Sequence, residues 1–166
     1  DLHGVVRFCD AFGIPVVTFT NVTGYAASIG EENREGSAAA ALTMAFARAS
    51  VPKINVITQK AMGGAYAVMN ARGTGADLTF AFPGAVIGIM DPAMAARVLA
   101  PAADAETFEA TRQNYEEKQC SLQSAAARGL VDRILDPADL RRYLIGALEI
   151  LYTKRLETPD GRHSSH

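Results

Sequence analysis

The sequence predicts an α/β protein, a layer of short strands interleaved with helices that gives way to a mainly helical C-terminal region. Two β-branched runs, Val16-Val17-Thr18-Phe19-Thr20 and Lys53-Ile54-Asn55-Val56-Ile57-Thr58, each lead into a glycine-bearing turn. Segments of helical composition separate the strand candidates, as an α/β layer requires. Beyond Asp91 the helical segments dominate.

In chain order, an amphipathic helix runs to Phe12 and is stopped by Gly13, and Pro15 introduces the first run as a buried strand. A polar loop follows from Asn21 to Gly36. Ser37 to Ser50 is alanine-rich, a helix of high propensity whose small residues permit close packing. Lys53 to Thr58 is the second strand, and Ala61-Met62-Gly63-Gly64-Ala65 turns into a helix to about Arg72. Leu78 to Phe82 and Ala85 to Ile89 are strands separated by Pro83-Gly84, a turn signal. Asp91 is a plausible N-cap with Pro92 at the first position of a helix to Leu99. Asp104 to Lys118 and Ser121 to Arg128 are further helices, the latter closed by Gly129. Leu130 to Leu135 returns to strand character, and Pro137 opens a last helix to about Lys154.

At 166 residues and 49% hydrophobic composition the chain fits one domain with an ordinary core. We place that domain at 1-156 and a polar tail at 157-166. The helix periodicity starts at once, without an initiator Met, so the chain is expected to be a piece of something longer. A net charge of -2 with interspersed signs leaves no basic stripe for a nucleic acid. No apolar run has the length of a membrane span, and no signal peptide is recognisable, so a cytoplasmic protein is expected. Cys9 and Cys120 read as buried free thiols. No metal is expected, because His163 and His166 lie in the tail without a third ligand.

The sharpest chemical signal is the turn at Gly63-Gly64-Ala65. A strand ending in such a turn at a helix start presents amide N–H groups without intrahelical partners, and the missing side chains let a ligand oxygen approach. Donors of this kind can form an oxyanion hole. A Gly-Gly pair after a strand is also what a tight turn or a close helix-to-sheet contact needs. A weaker version follows the first strand at Thr23-Gly24-Tyr25.

The stretch Val51 to Met69, containing Lys60-Ala61-Met62-Gly63-Gly64-Ala65-Tyr66, resembles the C-terminal half of carboxyltransferase β subunits of biotin-dependent acyl-CoA carboxylases such as propionyl-CoA carboxylase. Arg7 to Phe19, Ala125-Ala126-Ala127-Arg128-Gly129-Leu130-Val131-Asp132 and Ala147 to Arg155 are similar to the same family, so nearly the whole chain is covered. The resemblance implies a crotonase-like fold, a β-β-α superhelix layer. It implies a carboxyltransferase component that moves CO2 between carboxybiotin and an acyl-CoA, with the Gly64 and Ala65 amides stabilising a biotin enolate. Gly24, Tyr25, Gly63 and Tyr66 become biotin-pocket candidates, and Ala67 a substrate-selection candidate. Biotin on a carrier protein and acyl-CoA are the implied cofactor and substrate. The implied partners are a biotin carboxyl carrier protein, a biotin carboxylase, and an N-terminal carboxyltransferase half or further copies of the chain in an oligomer.

Departures from the family pattern bear on activity. Val22-Thr23-Gly24-Tyr25 lacks the proline usual in this loop, Ala38-Ala39-Ala40-Ala41 replaces a His-Gly-Ala-Lys-like run, and Ala67 stands where Asp is frequent. Alternatives therefore stay open: a biotin-dependent acyl-CoA decarboxylase or transcarboxylase subunit, or a non-catalytic carboxyltransferase-like scaffold. A Clp-type serine protease is disfavoured, since no Ser sits at the turn. Asp77 and Asp91 lie beside strand ends, where Asp91 reads most simply as a cap. Glu31, Glu32 and Glu35 read as a solvated loop cluster, Tyr25 and Tyr66 as cleft or subunit-contact aromatics, and Met44, Met62, Met69, Met90 and Met94 as core or interface filler.

Overall fold

The computed structural model describes residues 2–24 and 32–154. Its elements run α1 (Leu2–Ala11), β1 (Val16–Val22), α2 (Glu32–Arg48), β2 (Lys53–Met62), α3 (Gly63–Val68), β3 (Leu78–Ala81), β4 (Val86–Gly88), α4 (Pro92–Leu99), α5 (Ala105–Tyr115), α6 (Leu122–Ala127), β5 (Arg133–Ile134) and α7 (Leu140–Leu151). The strands form a sheet in the order β1-β2-β3-β5, with every pair parallel, and β4 joins the far end of β2.

β2 is the axis of the sheet. Its first five residues, Lys53 to Ile57, are all buried, as expected of an interior parallel strand covered on both faces. Ile54 and Val56 face a cluster with Phe80, Leu135 and Ala147, against which α7 packs Tyr143, Leu144 and Leu148. Ile57 and Ala61 face the opposite way, toward Tyr66, Ile87, Leu122 and Ala125. Burial of each such Val or Ile contributes about 1.5–3 kcal/mol. A third cluster, Val6, Leu42, Phe46 and Val51, binds α1 and α2 over the start of the sheet.

The register changes midway. β1 and β2 pair regularly from Val16↔Lys53 to Thr20↔Ile57, but the next pair is Val22↔Ala61. The two residues added on β1 are thus matched by four on β2, a bulge that bends β2 away from β3 and onto β4 through Ala61↔Ile87 and Met62↔Gly88. Asn21 pins the bulge, its side chain donating to Gln59 Oε1 and accepting from the Lys60 amide, both at 3.2 Å. The last residues of β2 are thereby re-aimed, and they end on the Gly63 turn.

Buried polar groups fix the layers. Lys53, 1% exposed, reaches the C-terminal end of α2 and donates from Nζ to the carbonyls of Phe46 (2.8 Å) and Ala49 (2.5 Å). Burial, then the nearby Lys154 charge, pushes its pKa below the usual lysine value. Asp77 accepts from the Lys53 amide and from Lys154 Nζ, each at 2.8 Å. Asp10 accepts from the amide and hydroxyl of Ser50, tying α1 to the α2–β2 connection.

Several elements differ from the sequence reading. β1 is a sheet edge and only half buried, with Phe19 exposed. It continues through Val22, and α2 begins at Glu32, so Glu32 and Glu35 belong to a helix rather than a loop. β2 runs four residues past Thr58, and α3 ends at Val68 instead of near Arg72. The helix from Asp104 passes at Glu116 into a π-helical turn reaching Cys120. Only Arg133 and Ile134 of the Leu130–Leu135 run join the sheet. Pro137 starts a 3-10 turn, and α7 proper begins at Leu140. Cys120 is a buried free thiol, whereas Cys9 is only half buried. Met62 is core, but Met44 and Met94 are exposed. Among the described residues no helix is long and apolar enough to cross a membrane, and no group of three or more His, Cys, Asp or Glu is arranged to hold a metal ion.

Candidate active site

The Gly63–Gly64–Ala65 turn lies where β2 ends and α3 begins. Met62 is extended at the N-cap (φ -117°, ψ 135°) and makes no side-chain cap hydrogen bond. The first-turn amides of α3 are therefore not capped by that residue. Gly63 has φ +63°, and a Cβ there would meet the carbonyl oxygen of Ile89 at 3.2 Å. Both conformation and space call for glycine at this point. Gly64 is exposed and Ala65 buried.

The opposite end of α3 is anchored. The Met69 amide donates to the Tyr66 carbonyl at 3.0 Å and closes the helix. Asn70 follows with φ +54°, the one non-glycine residue in the left-handed region among those described. Fully buried, it donates from Nδ2 to Thr18 Oγ1 of β1 (3.1 Å) and to the Ile54 carbonyl of β2 (3.4 Å). Thr18 and Thr20 in turn donate to Asn55 Oδ1. A polar row beneath α3 thus fixes the short helix to two strands.

The turn separates two clefts. The first, about 450 Å3, is lined by Leu2, His3, Val22, Gly24, Ala38, Ala39, Leu42, Ala65, Val68 and Met69. The second, about 350 Å3, is lined by Gly63, Gly64, Tyr66, Ala67, Ile87, Gly88, Ile89, Arg128 and Leu130. The residues singled out in the sequence are therefore divided. Gly24 and Ala65 share the first cleft, and Gly63, Gly64, Tyr66 and Ala67 share the second. Tyr25 lies outside the described residues.

Tyr66 is a core residue as much as a cleft residue. It is 9% exposed, packs with Ile57, Ile87 and Leu122, and burial raises its pKa, which keeps the phenol protonated. Its hydroxyl is buried without a hydrogen-bond partner among the described residues. Asp77 is held by Lys53 and Lys154, and Asp91 caps α4 by accepting from the amides of Ala93 and Met94, so both have structural roles.

Two residues that sequence reasoning passed over line the clefts. His3 is the only polar side chain among the described residues of the Ala65 cleft. It sits one turn before buried Val6 on α1, and that helical spacing was the available signal of an inward face. Arg128 is the only charged residue lining the Gly64 cleft among the described residues. Its Nε donates to the Ser124 carbonyl (3.2 Å) and its Nη2 to the Gln119 carbonyl (2.6 Å), which fixes the guanidinium against α6.

Comparison with known proteins gives a consistent result. Residues 3–165 match the carboxyl transferase domain family. The chain is 42% identical over 171 residues to the propionyl-CoA carboxylase beta chain of Saccharopolyspora erythraea, covering 96% of this chain and 31% of that protein. It is 37% identical over 164 residues to the methylmalonyl-CoA decarboxylase subunit alpha of Veillonella parvula, again covering 96% of this chain and 31% of the relative. Among solved structures, transcarboxylase 12S, a hexamer crystallised with methylmalonyl-coenzyme A and methylmalonic acid, superposes with a TM-score of 0.92 at 36% identity, covering 98% of this chain and 32% of that one. The fold is the crotonase-like one of these carboxyltransferases. The chain spans about a third of the length of the curated relatives it matches.

Proposed function

Because the chain belongs to the carboxyl transferase domain family, we propose that it is the biotin-side half of a carboxyltransferase, working between carboxybiotin on a carrier protein and an acyl-CoA. The observation that carries this reading is the Gly63–Gly64–Ala65 turn, with its left-handed first glycine and a cleft on either side.

The residues fit the group. The Ala65 cleft is apolar, of a size to take a small fused ring, and has backbone donors at its edge. Bound carboxybiotin supplies an activated carboxyl group. The amides of Gly64 and Ala65, adjacent in the first turn of α3, would donate to the ureido oxygen and stabilise negative charge there. Leu2, Val22, Leu42 and Val68 exclude water and so strengthen those hydrogen bonds. Ala67 and the Ile87–Ile89 segment line the other side, where an acyl group would lie. Ala67 leaves room there for a bulkier acyl group than a longer side chain would. Tyr66, protonated and packed, serves as a wall.

Association with the acyl-CoA-binding half, with a biotin carboxylase and carrier protein, and in an oligomer belongs to the same proposal. The outer stripe of α1, Val5, Phe8 and Phe12, and Met94, Val98 and Leu99 of α4 are all more than half exposed and suit such contacts. The direction of transfer has a second reading, a decarboxylase, favoured by the Veillonella relative. Decarboxylation of a malonyl-type thioester with free biotin as acceptor needs no ATP, whereas carboxylation needs the biotin carboxylase partner.

The deciding experiment is Gly64→Val in the complete complex. Turnover is expected to fall by about 100- to 1,000-fold, the cost of disturbing one oxyanion-hole donor. Unchanged turnover in a stably folded variant would sink the assignment, and a wild-type complex with no turnover would favour a scaffold, in line with the alanines at 38–41.

A further inference from the structure

We propose that the Gly64 cleft receives an acyl group whose far end is a carboxylate, and that the guanidinium of Arg128 is the group that selects it. The inference rests on the functional reading above, which puts the acyl group in this cleft, and adds the chemical class of that group.

The cleft, about 350 Å3, combines an apolar wall with one charge. Ile87, Ile89 and Leu130 supply the wall, and Arg128 is the only charged residue of the described lining. Ala67, exposed in the same lining, carries nothing that could neutralise it. No ion pair of the described residues includes Arg128. The carboxylates that share its neighbourhood around Cys120 are those of Glu116 and Asp91, and both are engaged elsewhere. Glu116 accepts from Arg112 Nη1 at 2.6 Å, and Asp91 accepts from the amides that start α4. A cation therefore stands beside an apolar wall without a counter-charge among the described residues.

Arg128 is held rigidly, and its hydrogen bonds say where the guanidinium lies. Its amide donates to the Ser124 carbonyl at 3.1 Å, and Gly129, at φ +72°, lets the amides of Gly129 and Leu130 return to the carbonyls of Ala126 and Ala125, each at 3.0 Å. Leu130 packs against the core cluster of Tyr66 and Leu122. In the side chain, Nε donates to the Ser124 carbonyl and Nη2 to the Gln119 carbonyl. Gln119 precedes Cys120, whose Sγ packs against Gly88 in the cleft wall. The head group is thus fixed between the π-helical turn and α6, on the side of β4. Capping α6 uses two of the five guanidinium N–H groups. Both N–H groups of Nη1 and one of Nη2 have no acceptor among the described residues, and together they form the end of a planar fork that matches a carboxylate.

An alkyl tail filling this cleft would strip water from the guanidinium and return nothing for it. A tail that ends in a carboxylate replaces that water with charge-assisted hydrogen bonds, which are stronger than neutral ones. Its methylenes meanwhile lie on Ile87, Ile89 and Leu130. The phosphates of the coenzyme have no use for an apolar wall beside the turn, so the acyl end is the anion that fits.

The test compares glutaryl-CoA with pentanoyl-CoA, equal in chain length and different in charge at the far end, in the complete complex. Equilibrium binding and kcat/KM are both read. The wild type should favour glutaryl-CoA by about tenfold or more. Arg128→Gln should remove most of that preference, and Arg128→Lys, which keeps the charge and loses the fork, should retain part of it. Ala67→Asp leaves Arg128 in place but adds a carboxylate to the cleft, and it too should lower the preference. A ratio of two thioesters on one variant is insensitive to a general loss of folded protein. The proposal is overturned if the wild type binds neither thioester or does not favour glutaryl-CoA, or if Arg128→Gln leaves the preference unchanged. It is also overturned if Arg128→Gln weakens both thioesters alike, which would assign Arg128 to the coenzyme's phosphates. The failures are separable. Gly64-dependent carboxyl transfer without discrimination removes the acyl class and leaves the carboxyltransferase reading standing. An Arg128-dependent preference in binding without Gly64-dependent turnover removes the reaction and leaves the site.

Discussion

Gly88→Ala is the substitution whose outcome the packing specifies most closely. Gly88 pairs with Met62, the residue just before the Gly63–Ala65 turn, and lies beside the buried Cys120. A Cβ added there would come to 2.5 Å from Cys120 Sγ, with Met62 Sδ at 3.4 Å and Cys120 Cβ at 3.5 Å. The last two are contacts a small shift can absorb. The first is not, so a strand or the π-helical turn carrying Cys120 must move. Overpacking of this kind costs about 1–3 kcal/mol, or about 3–10 °C in Tm for a chain of this size. The same contact predicts its own rescue. In a Cys120→Ala background the sulfur is gone, and the remaining neighbours stand at ordinary distance. Thermal unfolding of the four members of this double-mutant cycle should give a coupling of at least about 1 kcal/mol, with Gly88→Ala costing far less when Cys120 is already alanine. An equal Tm loss in both backgrounds would refute the reasoning and place the strain elsewhere on β4.

Two further predictions concern the scaffold. Lys53→Met should destabilise by about 2–4 kcal/mol, because it abandons the Phe46 and Ala49 carbonyls at the end of α2. Lys53 also has a pH signature. Its folded pKa lies below the usual 10.5, so the unfolded chain holds more protons there, and the wild type gains stability as pH rises from the lowered folded value toward 10.5. Chemical denaturation across that alkaline window should show this gain in the wild type and not in Lys53→Met. Asn70→Ala and Asn70→Gly both lose the bonds to Thr18 and Ile54, but only alanine is strained at φ +54°. The alanine variant should be the less stable by about 1–2 kcal/mol in urea unfolding, and equal stabilities would count against the left-handed assignment.

How much of this was legible follows from what each signal depends on. The turn at Gly63–Ala65 was readable because it is local: a β-branched run, two glycines and a helix-forming stretch follow one another directly. The cap at Asp91 was readable for the same reason, and its side chain accepts from the first-turn amides of α4, as the side chains of Asp104 and Ser121 do for the helices they start. The end of β2 was missed because Gln59 and Lys60 are polar and exposed on the bulge, so the apolar pattern stops where the strand does not. The opposite error occurred at Leu130–Leu135. Leu130 and Val131 are apolar because they pack against the cluster of Tyr66 and Leu122, and bonding to β3 begins only at Asp132, whose amide donates to the Thr79 carbonyl. α3 stops early because Asn70 turns left-handed to reach Thr18, a partner more than fifty residues away.

The sequence by itself determined the α/β class, the family and the position of the Gly63–Ala65 turn, since these rest on short-range patterning and on residue identity. Only the tertiary structure decided that the turn has two sides. The β2 bulge and the docking of α1 set Gly24, Ala65 and His3 around one cleft, and Gly64, Ala67 and Arg128 around the other. Neighbours along the chain were parted and distant residues joined because α3 is a helix. Successive side chains on a helix project about 100° apart, so neighbouring residues of α3 line different walls, and which wall each one meets is fixed by packing from elements far away in sequence.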